Sequence, residues 1–392
     1  MDVNQPLALL AGLTPAQFMR RHWQKKPLLV RRAIPDMQPV LSRAELFALA
    51  GQQQVESRLV QQQAGGWRMK QGPFGPRSLP ALAKPGWTLL VQGVDLHDRR
   101  AHDLLQQFRF VPDARLDDLM ISFATAGGGV GPHFDSYDVF LLQASGRRRW
   151  KISRQKDLSL QPDVPLKILQ NFEATEEFVL EAGDMLYLPP RYAHDGLAEA
   201  CAADDGKPAD CMTYSIGFQA PERDELAGQL LQRLADFADD GQEGEGPLRL
   251  YRDPSQPAVI TPAAVPASLL GFAHEAVGAA LKDPLALACV LGEYLTEPKA
   301  SVWFDAPSDA WNPRMACGLT LDPRSRMMYD GHHVFINGES YRAKGADASL
   351  MRRLADQRSL TVTDLRRVSP DALALLSDWH ASGWLRAAQP LS

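Results

Sequence analysis

The chain has 392 residues, 45% of them hydrophobic and 23% charged, and a formal net charge of −5. This length allows two or three domains with a sizeable core, and the composition is that of a soluble globular protein. So small a charge imbalance argues against direct nucleic-acid binding and gives no reason to expect a membrane partner. The four cysteines (Cys201, Cys211, Cys289, Cys317) form no CxxC pair, and the first residues lack a basic-then-apolar leader. Reduced thiols and a cytoplasmic setting are therefore expected.

In "LTPAQFMRRHWQKKPLLVRRA", Thr14 predicts a helix cap with Pro15 at the first helical position, and "PLLV" (27–30) predicts a short buried strand. "SRAELFALAG" (42–51) predicts a second helix between Ser42 and Gly51. From residue 88 to 220 come short apolar runs between turn residues: "WTLLVQGV", "LDDLMISFAT", "YDVFLLQ", "RRRWKIS", "EEFVLEAGDMLYLPP" and "CMTYSIGFQA". Such spacing argues for an antiparallel barrel or sandwich. Beyond Pro221 the period becomes helical, with Leu226, Leu230, Leu231, Leu234 and Phe237 on one face of 222–240. A linker-like stretch leads to a second helix at "SLLGFAHEAVGAALKD". This pair suits a homodimer interface, although packing against its own barrel is equally allowed. Residues 302–392 mix helices with a short hairpin at "HHVFING", as in a winged helix. The organisation read from these zones is a supporting segment (1–87), a barrel (88–221), a helical dimerisation region (222–301) and a winged-helix-like end (302–392).

The chemistry concentrates in "AGGGVGPHFDSYDVF" (126–140). Residues i and i+2 of a strand share a face, so His133 and Asp135 can aim into one barrel mouth. "LYLPPRYAHDGLAE" (186–199) offers His194 as a third ligand. Two histidines and one carboxylate leave a face of the metal open, which suits Fe(II) that must bind a co-substrate and dioxygen together. A co-substrate with a distal carboxylate, such as 2-oxoglutarate, needs a cation, and "GRRRW" (146–150) supplies three. Alternation sets Arg148 on one face and Arg147 with Arg149 on the other, without showing which face is inward. A solvated basic edge would explain all three equally well.

"GGGVGPHFDSYDVFLLQASGRRRWKIS", with "DMLYLPPRYAHDG" downstream and "FMRRHWQKKPLLVRRA" at the start, resembles the bacterial JmjC-type ribosomal oxygenases, above all those that hydroxylate an arginine of a large-subunit ribosomal protein. The resemblance runs over nearly the whole chain. It implies an α+β fold: a JmjC/cupin double-stranded β-helix, a helical dimerisation region and a C-terminal winged helix. It also implies that His133, Asp135 and His194 hold Fe(II), and that Arg148 and Ser122 hold 2-oxoglutarate. Dioxygen would then be consumed, with succinate and carbon dioxide formed and a substrate carbon hydroxylated.

An incoming guanidinium needs an acceptor or an aromatic face, and "SYD" follows the metal carboxylate directly. Tyr137 could stack on it and Asp138 pair with it, unless Tyr137 packs in the wall and Asp138 caps a turn. More distant members of the family act on histidine, so a ribosomal-protein histidine is the alternative target. A ligand-sensing regulator built from a cupin barrel and a winged helix is a different alternative. Residues 302–392 hold eleven Lys and Arg against ten Asp and Glu, which is no basic stripe. A cupin-type isomerase would leave Arg148 and the open metal face without a purpose.

Overall fold

The computed structural model describes residues 2–63, 66–201, 210–240, 250–254, 257, 263, 265–282, 284–308, 311, 317–366 and 368–388. They form two compact units, Met1–Ala220 and Pro221–Ser392.

The first unit opens as its capping residues predict. The Thr14 hydroxyl accepts from the Gln17 amide while the Gln17 side chain accepts from the Thr14 amide, which starts α1 (Pro15–Arg21). Strand β1 (Leu28–Val30) follows, then α2 (Arg43–Ala50), capped in the same reciprocal way by Ser42 and Glu45. Strands β2 (Ser57–Gln63) and β3 (Gly66–Gln71) pair with each other and lead to β4 (Trp87–Val91). The β2–β3 pair escaped the sequence reading because both strands are short on buried apolar residues: three glutamines end β2, and in β3 only Trp67 and Met69 turn inward between exposed Gly66, Arg68 and Lys70. After α3 (Arg99–Leu105) come β5 (Leu116–Ala124), β6 (Asp138–Ser145), β7 (Arg148–Ser153), β8 (Glu176–Leu180), β9 (Met185–Leu188), β10 (Ala193–Ala198) and β11 (Cys211–Phe218).

Eight strands make one sheet in the order β1-β9-β6-β11-β5-β4-β2-β3, and β10-β7-β8 make a second. The chain crosses between the sheets from β6 to β7, β8 to β9, β9 to β10 and β10 to β11, so the two layers are wound together as the expected β-helix barrel. The N-terminal segment extends the large sheet at both edges, with β1 at one and β2 and β3 at the other. Strand β6 is buried on both faces, which explains why "VFLL" reads as continuous rather than alternating. Phe140 and Leu142 pack with Phe18, Phe108, Tyr187 and Phe218, whereas Val139 and Leu141 pack with Trp150, Ile152, Leu186 and Leu188 between the sheets.

In the second unit, α4 (Arg223–Asp240), α5 (Ala267–Lys282) and α6 (Pro284–Thr296) precede a region of short strands and helices. There β12 (Leu319–Leu321) lies between β16 (Ser359–Leu360) and β17 (Leu385–Ala387), and β13 (Met327–Tyr329), β14 (His333–Ile336) and β15 (Glu339–Arg342) form a second small sheet. Helices α7 (Gly345–Gln357), α8 (Val362–Leu365) and α9 (Pro370–Ala381) complete it around Leu354, Leu376 and Trp379. Leu230 and Leu234 of α4 pack with Ala286 and Val290 of α6. Leu231 departs from the expected buried stripe and is 53% exposed. It stands about 100° round the helix from Leu230, beyond the width of the contact with α6. The Phe237 side chain and most of the linker-like stretch fall outside the described residues. Among the described residues no helix is long and apolar enough to cross a membrane.

Candidate active site

The glycine run brings the chain to the barrel mouth under tight constraint. Gly131 has φ +81°, and a Cβ there would meet Ile168 Cδ1 and Trp67 Cζ2, each at 2.7 Å. Only glycine takes that conformation in that space without strain. His133 then forms an isolated antiparallel bridge with His194 of β10: each backbone N–H donates to the other's carbonyl, at 2.9 and 2.8 Å. The expected i, i+2 geometry is thus realised in an extended segment before β6 rather than within a strand.

His133 Nδ1 lies 2.8 Å from the Gly131 carbonyl and His194 Nδ1 lies 2.9 Å from the Tyr192 carbonyl. A carbonyl only accepts, so each Nδ1 carries a proton, and Nε2 is the nitrogen of each ring left to face a metal. The imidazoles lie 4.2 Å apart between centroids, and His194 Nε2 is 3.7 Å from Asp135 Oδ2. One ligand atom from each of His133, Asp135 and His194 lies within 4.8 Å of the others, close enough to converge on one ion. Burial, reinforced by the neighbouring His133 and opposed by Asp135, pushes the His194 imidazole down to about 4, so it stands neutral near pH 7.

Strand β7 resolves the arginine ambiguity. Arg148 and Trp150 are buried, with the guanidinium 5.8 Å from the indole. Arg149 points to the surface and pairs with Glu177 and Glu199, and Arg147 reaches Glu199 at 3.7 Å. Arg148 Nε and Nη2 are buried without a hydrogen-bond partner. A permanently charged group held this way calls for an anion. Ser122 lies on β5, 4% exposed, with its hydroxyl donating to the Thr213 carbonyl at 3.2 Å. Ser122, Arg148 and the His-Asp-His group all line one cavity of about 500 Å³.

Tyr137 also lines this cavity and is 38% exposed at its rim. Asp138 does not, which corrects the expectation that it faces the substrate. Strand β6 starts at Asp138, and Val139 and Leu141 take the cavity side, so Asp138 turns the opposite way. It is fully buried there and accepts from Tyr187 Oη at 2.5 Å, Gln24 Nε2 at 3.1 Å and Arg115 Nη2 at 3.3 Å. Asp138→Ala is therefore expected to lower folding stability by about 2–4 kcal/mol, because three donors lose their acceptor. Chemical denaturation checks this, and an unchanged midpoint would contradict it.

The cavity contains residues the sequence reading missed. Asp118 and Asp117 line it from β5 and Arg58 lines it from β2. For Asp118 a signal was available: counting back by two from Ser122 gives Met120 and Asp118 on the same face.

Fold and site together define a double-stranded β-helix oxygenase with an open 2-His-1-carboxylate centre. The JmjC domain family matches residues 103–226, and the ROXA-like winged helix family matches residues 279–386. The chain is 33% identical over 377 residues to the ribosomal protein uL16 3-hydroxylase of Escherichia coli (strain K12), across 94% of this chain and 96% of that one. A crystal structure of E. coli YcfD superposes with a TM-score of 0.81 at 31% identity, covering 96% of this chain and 98% of that one. YcfD described as a ribosomal oxygenase in complex with cobalt and 2-oxoglutarate superposes at 0.79 and 31% identity, covering 96% and 99%. The chain belongs to the JmjC-type ribosomal oxygenases.

Proposed function

We propose that this protein is an Fe(II)- and 2-oxoglutarate-dependent hydroxylase of an arginine residue in a large-subunit ribosomal protein. The observation that carries the reading is the pairing, in one cavity, of the His133–Asp135–His194 cluster with the buried, partnerless Arg148 guanidinium. The residues fit the groups. Two imidazoles whose Nδ1 atoms are held by carbonyls, so that Nε2 is the nitrogen left to face a metal, and one carboxylate are a donor set for Fe(II), and the unpaired Nε–H and Nη2–H of Arg148 match a carboxylate.

Bound iron and 2-oxoglutarate supply the oxidant that inserts one atom of dioxygen into a C–H bond, with succinate and carbon dioxide as the other products. The protein's part is to position and shield. Gly131 and Tyr192 carbonyls fix the ligand tautomers, Arg148 and Ser122 take the far end of 2-oxoglutarate, and Trp150 walls the site from water. Tyr137, Asp117 and Asp118 form a half-aromatic, half-acidic side of the cavity. A Cβ at Gly217 would lie 3.7 Å from Tyr137 Cε2 and 3.8 Å from Asp118 Oδ1, so ring and carboxylate flank the same open spot. That setting favours a guanidinium over an imidazole, and the E. coli relative is named for uL16. A ribosomal substrate also places the enzyme in the cytoplasm.

The reading is tested by intact-mass analysis of ribosomal proteins from a deletion strain. One large-subunit protein should be lighter by a single oxygen, and fragmentation should place the missing atom on arginine. An oxygen missing from histidine, or no mass change, would overturn it.

The same reading includes a homodimer formed through residues 222–301. Leu269, Leu270, Phe272, Val277 and Leu281 of α5 are all exposed, an apolar surface that a second copy would cover. Sedimentation equilibrium should give twice the 43.3 kDa chain mass. A value at the chain mass would contradict this assignment.

A further inference from the structure

Arg58 is a cation in the cavity that neither the metal centre nor the 2-oxoglutarate contacts employ. It sits on β2 opposite Leu90 of β4, and Leu90 pairs in turn with Ser122 of β5, which pairs with Thr213 of β11. Arg58, Leu90, Ser122 and Thr213 therefore form one row across the large sheet, and all four line the cavity. Two strand spacings separate the Arg58 and Ser122 backbones, roughly 10 Å.

The guanidinium is turned away from that row. Its Nη2 donates to Gln92 Oε1 at 2.7 Å. Gln92 lies two residues beyond Leu90, so the Arg58 head reaches the level of Met120, a step nearer Asp118 and Tyr137. Arg58 Nε is buried and has no hydrogen-bond partner. A second guanidinium with an unused N–H thus stands in the cavity, on the side that carries the acidic residues and the Tyr137 ring.

We infer that Arg58 is a substrate-positioning residue that donates to an oxygen of the ribosomal polypeptide, either a backbone carbonyl or a side-chain carboxylate flanking the hydroxylated residue. This rests on the oxygenase reading above. The chemistry is directional. Asp117, Asp118 and Tyr137 draw a cationic side chain toward themselves, and Arg58 repels that cation while donating to the oxygens that flank it. Such a pair of opposed charges fixes which way the polypeptide runs through the cavity. Gln92 supports the role by fixing the guanidinium plane, as a bidentate or fork contact requires.

The test uses the ribosomal protein shown by mass to gain an oxygen with the wild-type enzyme, purified unmodified from a deletion strain. Arg58→Ala should raise its KM about tenfold to a hundredfold, the range for one charge-assisted hydrogen bond, with kcat falling much less. The KM for 2-oxoglutarate should stay within about twofold, which separates substrate positioning from a general loosening of the barrel. Arg58→Lys should recover part of the loss, since it keeps the charge but not the fork. A substrate whose acidic residues near the target are amidated distinguishes the two sources. If Arg58→Ala no longer matters with that substrate, a carboxylate is the acceptor; if the penalty persists, it is a backbone carbonyl. Unchanged substrate KM in Arg58→Ala, or equal rises in both KM values, would overturn the inference. A target that proves to be histidine would sink the arginine reading yet leave this comparison valid.

Discussion

Asp135→Ala and His133→Ala are expected to reduce succinate formation to background while leaving the chain folded. Each removes one of only three protein ligands in the His133–Asp135–His194 cluster, and two ligands hold a labile divalent ion poorly. The rings are already oriented, since Gly131 and Tyr192 carbonyls hold both Nδ1–H groups, so the ligands left in either variant stay in place but cannot complete the set. Calorimetric titration with Co(II) should show the metal affinity lost together with turnover. Wild-type-like succinate output from either variant would remove the cluster from the mechanism.

Arg148→Ala is expected to raise the 2-oxoglutarate KM roughly tenfold to a hundredfold, whereas Arg147→Ala and Arg149→Ala stay within about twofold. The contrast follows from burial. Arg148 is 3% exposed with two donors unpaired, so a carboxylate there gains charge-assisted bonds with little competition from water. Arg149 and Arg147 are spent on Glu177 and Glu199 at the surface, where an ion pair contributes little. Arg148→Lys should fall between, because an ammonium supplies the charge without the planar fork. Steady-state kinetics with varied 2-oxoglutarate measure all four. Equal behaviour of the three alanine variants would return the run to a basic edge.

The metal cluster was legible in the sequence because its geometry is mostly local: a glycine run, an HxD pair and a histidine after Pro-Pro. The barrel was legible because Gly, Pro and Asp punctuate short apolar runs. Sidedness was not. Gly146, at φ +65°, turns the chain just before β7, so counting by two from β6 cannot say which of the three arginines faces in. Asp138 was misplaced for a different reason. Counting by two from Asp135 gives Tyr137, Val139 and Leu141, which all line the cavity, so parity itself turns Asp138 away; it was its position beside Tyr137 in the sequence that suggested the pairing. Arg58 was invisible for a third reason. It sits in a mostly polar strand, "SRLVQQQ", and its place in the cavity exists only through the cross-strand register with Leu90 and Ser122.

The central claim, that 2-oxoglutarate turnover at this site is coupled to hydroxylation of a ribosomal arginine, is tested most directly in one assay. Purified enzyme is supplied with Fe(II), ascorbate, 2-oxoglutarate and ribosomes from a deletion strain, and succinate and product masses are followed together. The account predicts one succinate for each large-subunit protein that gains an oxygen on arginine, with both products absent when iron or 2-oxoglutarate is withheld. Succinate that forms at the same rate with and without ribosomes, while no ribosomal protein changes mass, would contradict it.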